Sequence, residues 1–162
     1  MSLSACNAVV NPSFESGVLY PWVPSAVNVA KVSTGTNAYG GEYYLNLQTS
    51  VGGRTNSISQ TLDHLTPHAE YDFNVGVQAV STGASYCSLY VFMGHNSTTG
   101  EIKDSILFNF GEWTSLSGTF VPKKSTQTLT LIAGCDFEDS SLIGSVLLDD
   151  VSFTKAGQCG SA

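Results

Sequence analysis

The sequence predicts an all-β protein, a sandwich or barrel of about ten short strands. Three observations carry that prediction. Apolar and polar residues alternate with period two along much of the chain, turn-forming Gly, Pro, Ser, Thr and Asn separate the alternating runs, and no stretch keeps a helical period.

Taken in order, the first expected strands are Ala8–Phe14, Val27–Val32, Glu42–Gln48 and Ser57–Leu62. Glu70–Val80 has the clearest alternation. Tyr71, Phe73, Val75, Val77 and Ala79 share one face, and Asp72, Asn74, Gly76 and Gln78 the other, which is the pattern of a strand buried on one side. In Tyr86–Met93 the inward set is Cys87, Leu89, Val91 and Met93. Ile102–Phe110 and Glu112–Val121 follow. Thr126–Cys135 puts Leu129, Leu131, Ala133 and Cys135 together, and Ser145–Thr154 closes the series. Thr34–Asn37, Gly40-Gly41, Gly52-Gly53, Thr66-Pro67, Ser81–Gly83 and Pro122–Lys124 supply the turns.

A chain of 162 residues is long enough for one domain with a sizeable core, expected over residues 6–155, with 1–5 and 156–162 as linker or added flanks. Hydrophobic residues make up 42%, which excludes a disordered chain, and charged residues only 12%. The net charge of -7 and the six Lys plus Arg leave no basic patch for nucleic acid or an anionic membrane. No apolar run is long enough to span a bilayer. Met1-Ser2-Leu3-Ser4 lacks the charged start and apolar core of a signal peptide, and is read as standing where a signal has been removed.

Four cysteines, Cys6, Cys87, Cys135 and Cys159, allow three pairings, and none stands in a C-x-x-C spacing suited to zinc or dithiol chemistry. An even, widely spaced set fits structural disulfides in a secreted, extracellular protein. The sequon Asn96-Ser97-Thr98 agrees with a glycoprotein. Cys87 and Cys135 lie on the expected core faces of their strands, so they can meet. Cys6 and Cys159 bracket the domain and are expected to pair with each other. Two free buried thiols and two unpaired end cysteines are the alternative.

Several segments together resemble a known family: Asn11-Pro-Ser-Phe-Glu-Ser-Gly17 with Pro21-Trp22, Gly40-Gly-Glu-Tyr-Tyr-Leu-Asn-Leu47, Ile58-Ser-Gln-Thr-Leu62 with Leu65-Thr-Pro67 and Tyr71, and Leu147-Leu-Asp-Asp-Val-Ser-Phe153. In this order and spacing the chain resembles the CenC-type carbohydrate-binding modules, and its four cysteines make it similar to the fungal secreted ones. The resemblance implies a jelly-roll β-sandwich of two antiparallel sheets with a galactose-binding-domain-like fold. It also implies non-catalytic binding of a β-glucan, xylan or related polysaccharide or oligosaccharide, often beside an enzyme in a larger polypeptide. Finally, it implies a structural calcium ion held by Glu15, Asp149 and the backbone carbonyls near Gly40 and Glu42. Calcium takes hard oxygens, and an inward Asp149 would need a cation. Asp149 shares parity with Val151 and Phe153, whereas Asp150 shares it with the outward Ser152 and is the less favoured ligand.

Aromatic rings stack on pyranose faces while amides bond the hydroxyls. The outward rows hold Tyr44, Asn46 and Gln48; Asp72, Asn74 and Gln78; and Tyr86, Tyr90 and Phe92. From these, Tyr44, Asn46, Gln78, Tyr90 and Phe92 are the expected sugar contacts, with Trp113 and Trp22 in reserve. Trp22 and Trp113 also occupy positions where the family has recurrent structural aromatics. Both sheets of a sandwich have outer faces, and the sequence does not assign these strands to one of them.

Enzymatic readings find little support. His64 and His68 are four apart but flank Pro67, His95 stands alone, and no G-x-S-x-G elbow occurs. Asp136, Glu138 and Asp139 cluster as solvated loop acids would. A monomeric, non-catalytic sugar-binding module is therefore expected. A cell-surface adhesion or structural module without a sugar groove is the alternative.

Overall fold

The computed structural model describes residues 6–35, 38–49, 55–80, 84–108, 110–137 and 142–157. Ten strands form in chain order: β1 (Val23–Pro24), β2 (Ala30–Thr34), β3 (Tyr43–Gln48), β4 (Asn56–Leu62), β5 (Tyr71–Ala79), β6 (Ala84–Met93), β7 (Glu101–Leu107), β8 (Thr114–Phe120), β9 (Gln127–Phe137) and β10 (Ser145–Lys155). They make two five-stranded sheets. The first, called sheet A here, has the order β2-β3-β10-β5-β8, and the second, sheet B, has the order β1-β4-β9-β6-β7. Every strand pair in both ladders is antiparallel. The expected jelly-roll β-sandwich is the observed architecture.

Alternation builds the core. Leu45, Leu47, Phe73, Val75, Val77, Val146, Leu148, Val151 and Phe153 project from sheet A into fully buried positions. Ile58, Leu62, Leu89, Val91, Leu129, Leu131 and Ala133 meet them from sheet B. The Tyr71 and Phe153 rings stack with centroids 4.7 Å apart at the end of that layer. β10 sits centrally in sheet A, bonded to β3 on one side and β5 on the other.

The expected strand Ala8–Phe14 does not form. Asn11 and Phe14 take positive φ and Pro12 cannot donate, so the segment bends instead of laddering. Two backbone bonds to β10 remain, Ala8 N–H to the Phe153 carbonyl and Val151 N–H to the Pro12 carbonyl, and side-chain amides add to them. Asn7 Nδ2 donates to the Val151 carbonyl while its Oδ1 accepts from Phe153 N–H, and Gln60 exchanges two bonds with the Val10 backbone. Phe14 and Trp22 then bury their rings 6.1 Å apart, and Trp22 Nε1 donates to the Asn11 carbonyl. Trp22 is therefore structural. The two-residue β1, which replaces the lost strand in the count, has no alternation to betray it.

Cys87 and Cys135 are directly opposed partners on β6 and β9 and form a disulfide, as parity predicts. Cys6 is disulfide-bonded as well. Cys159, its expected partner, lies outside the described residues, as do Glu138 and Asp139. His64 and His68 occupy a turn at positive φ, so no helical histidine pair exists there.

Candidate functional site

Three features lie outside the core: one edge rich in carboxylates and two outer sheet faces.

The edge gathers the N-terminal bend, the loop before β3 and the middle of β10. Glu15 accepts backbone N–H bonds from Glu42 at 3.1 and 3.2 Å and from Tyr43 at 2.9 Å. Asp149 accepts from Gly40 N–H at 3.0 Å and from Asp150 N–H at 2.8 Å. Asp150 accepts from the Ser13 hydroxyl at 2.6 Å. The loop must come close to these acids. A Cβ on Gly41 would lie 2.5 Å from a Glu15 carboxylate oxygen, and one on Gly40 would lie 2.7 Å from an Asp150 oxygen. Gly41 also has φ +71°, which glycine adopts without strain.

Asp149 does not point inward as its parity predicts. β10 carries a bulge between Asp149 and Ser152, with Asp150 at φ 49°. Upstream of the bulge Asp149 opposes Gly76 and Leu147 opposes Gln78, so Asp149 lies on the outer side of sheet A. It is nevertheless fully buried, because the 38–42 loop covers that side and the Tyr39 ring lies over Gly76. The bulge also turns Asp150 into the cluster, which alternation could not foresee. Burial pushes the Asp149 carboxyl from 3.8 up to about 7. The N–H of Gly40 pulls the other way, the Asp150 carboxylate adds to the rise, the Asp150 N–H lowers it, and Glu15 raises it further. Among the described residues, no Lys or Arg side chain contributes to that balance.

Among the described residues, no three His, Cys, Asp or Glu side chains are grouped closely enough to hold a metal by themselves. Any cation here would therefore draw on backbone carbonyls in addition to these acids. The acids are hard oxygen donors of the kind calcium takes, while the backbone groups bonded to Glu15 and Asp149 are N–H donors.

The outer face of sheet A carries Tyr44, Asn46 and Gln78, with Trp113 immediately before β8. Trp113 packs 5.4 Å from Tyr39 and 6.2 Å, edge-on, from Tyr44. Further along this face lies a cavity of about 520 Å³, lined by Asp72, Asn74, Ser117, Thr119 and Lys155 among others. Its one ring, Phe73, is wholly buried, so nothing there can stack.

The outer face of sheet B is different. On β6 the outward set is Tyr86, Ser88, Tyr90 and Phe92. Tyr90 and Phe92 have ring centroids 5.7 Å apart, and Tyr86 pairs with Phe108 at 6.3 Å. Register extends the face sideways. Phe92 opposes Thr130, which opposes Ser59, which opposes Val23. Tyr90 opposes Ile132, which opposes Ser57. Ser88 and Gly134 face each other between the two ring pairs. They line a dip of about 130 Å³ bordered by Tyr86 and Asp136. Tyr90 is steadied by its hydroxyl, which donates to the Ser97 carbonyl. Asn96 stands beside it in an exposed turn, its Oδ1 accepting from Thr98 and Thr99 N–H.

The expected sugar contacts thus do not form one site. Tyr90 and Phe92 are on one outer face, and Tyr44, Asn46, Gln78 and Trp113 are on the opposite one. Tyr86 belongs with the first pair. Phe108 and Ile106, which are 66% and 54% exposed beside it, were not singled out, because the alternation in β7 is weak.

A family model described as "Carbohydrate binding domain" matches residues 6–135. The chain belongs to that family. Solved structures agree on the fold of this carbohydrate-binding domain. The module TmCBM61 in complex with β-1,4-galactotriose is 19% identical with a TM-score of 0.67, over 92% of this chain and 98% of that one. The C-terminal family 22 carbohydrate binding module of Clostridium thermocellum Xyn10B is 18% identical with a TM-score of 0.64, over 90% and 91%. A family 16 carbohydrate binding module is 19% identical with a TM-score of 0.60, over 92% and 100%. At such identities the likeness speaks for the fold alone. A search of curated protein sequences finds no significant match. The carbohydrate-binding domain is a non-catalytic binding unit by family.

Proposed function

We propose that this domain is a CenC-type module of a secreted, fungal-type protein and binds a neutral polysaccharide across the outer face of sheet B. One observation carries the reading: two ring pairs on one face, Tyr90 with Phe92 and Tyr86 with Phe108, set among the hydroxyls of Ser57, Ser59, Thr128 and Thr130. Rings on neighbouring positions of a strand give a sugar chain apolar surface to stack on. Hydroxyls from adjacent strands, about 4.8 Å apart, then meet its O–H groups. A net charge of -7 disfavours anionic glycans. The dip at Gly134 suits a protruding substituent. Structural neighbours solved with galactotriose or xylohexaose make β-galactan and xylan the first ligands to try, with β-glucan added from the resemblance to CenC-type modules. The domain is read as a monomer that acts within a larger polypeptide, glycosylated at the exposed Asn96.

The edge cluster is read as a calcium site held by Glu15 and Asp149 with carbonyls of the Gly40–Glu42 loop. When bound, the ion would supply the positive charge the acids lack, locking three chain segments together without taking part in sugar chemistry.

Affinity electrophoresis and calorimetry against β-glucan, xylan, galactan, mannan and chitin oligomers test the main reading. Binding to at least one, with no release of reducing sugar, is the expected result. Failure of correctly folded protein to bind any of them would overturn it.

A further inference from the structure

Sheet A presents a second arrangement suited to sugar. Gln78 on β5 is only 8% exposed, and its Oε1 is buried with no hydrogen-bond partner among the described residues. A buried acceptor of this kind is uncommon in native proteins and calls for a donor. Gln78 opposes Leu147 on β10, and Leu147 opposes Asn46 on β3, so the two amides stand two strands apart, about 10 Å, across an apolar side chain. Beside this row Tyr44, Trp113 and Tyr39 form a continuous ring cluster with contacts of 5.4 and 6.2 Å. Leu147 between them is itself buried, so the amides and the aromatic wall are what this face offers; both are elements that recognise a neutral sugar.

We infer that the outer face of sheet A is a second carbohydrate site, in which Gln78 and Asn46 bond hydroxyls of one or two sugar units against the Trp113–Tyr44 wall. This goes beyond the sheet B site and does not depend on it. A domain with a site on each sheet could hold two glycan chains at once.

The two tryptophans make the test direct. Trp22 is sealed at 3% exposure, whereas Trp113 is part-exposed in the proposed site, and the sheet B face has no tryptophan among its described residues. Titrating xylo-, cello- and galacto-oligosaccharides while following tryptophan emission reads sheet A. Calorimetry on the same ligands reads both faces. We expect a saturable emission change that survives Phe92→Ala and weakens at least tenfold in Gln78→Leu and in Asn46→Ala, with Tm unchanged or raised. Calorimetric binding that is abolished by Phe92→Ala and silent in emission would overturn the second site while leaving the first standing. An emission change that persists unaltered in Gln78→Leu and Asn46→Ala would also overturn it. A Trp113 response retained when Phe92→Ala changes nothing in calorimetry would uphold this site and sink the sheet B reading.

Discussion

A ring that points away from the core carries little packing, so its loss can be read as binding energy. Phe92 and Tyr90 alternate with the buried Leu89, Val91 and Met93. Replacing Phe92 by alanine is expected to weaken polysaccharide binding by about 1–2 kcal/mol, measured by calorimetry, with Tm shifting little. Gln78 makes the opposite kind of case. Its buried Oε1 has no partner, and leucine has a similar volume and no acceptor to satisfy. Gln78→Leu is therefore expected to raise stability by about 1 kcal/mol in chemical denaturation. A fall in stability would mean that the glutamine already has a partner in solution, an ordered water for example. Individual residues were legible from the sequence only in part. Inward and outward assignment held along β5, β6 and β9, where alternation is unbroken. It failed at Asp149 because one bulge resets the period for the rest of β10.

At the scale of elements, the strands with a one-sided core were legible, and their ends were placed within about two or three residues. Ala8–Phe14 looks apolar and extended, but only Ala8 N–H and the Pro12 carbonyl bond to the β10 backbone, and the Asn7 and Gln60 side chains make further bonds in place of a ladder. Composition cannot show that, since it depends on residues fifty or more positions away. The disulfide was legible because Cys87 and Cys135 share core parity and turned out to be register partners. It closes a loop with a sequence separation of 48. In the chain-entropy account such a loop contributes about 4 kcal/mol by restricting the unfolded chain. The double variant Cys87→Ala with Cys135→Ala is expected to lose up to that amount in urea unfolding. The m-value should rise as the denatured state expands. An unchanged midpoint would show that the cross-link constrains little beyond what the β6–β9 ladder already fixes.

Over the whole molecule, the sequence could name outward residues but not the sheet each belongs to, because strand order depends on pairings between distant segments. That is why the expected sugar contacts divide between two faces. The same long-range closure brings Glu15, the 38–42 loop and the middle of β10 to one edge, across sequence separations of 27 and 109 residues. The charge balance there makes a prediction about the entire fold. Asp149 has its carboxyl raised from 3.8 to about 7 by burial before any cation is counted. The metal-free folded state thus holds a proton between those values that the unfolded chain has released. Stability of metal-free protein is accordingly highest at low pH as far as this group is concerned. It falls as pH rises through roughly 4 to 7, by on the order of a few kcal/mol, and stays low above. Calcium at the proposed edge site would reverse the sense, because it would bind the ionised carboxylates of the folded state and add stability by mass action. Thermal melts of EDTA-treated protein are expected to show a lower Tm at pH 8 than at pH 5, and added calcium should recover most of the difference at pH 8. Asp149→Asn removes the buried charge and keeps the size. Without metal this variant should lose the fall between pH 4 and 7, and it should respond weakly to calcium. A melting temperature indifferent to EDTA at pH 8 would show that the edge holds no ion. A pH profile that stays flat in the metal-free protein would show instead that the Gly40 and Asp150 N–H groups already offset the burial of Asp149.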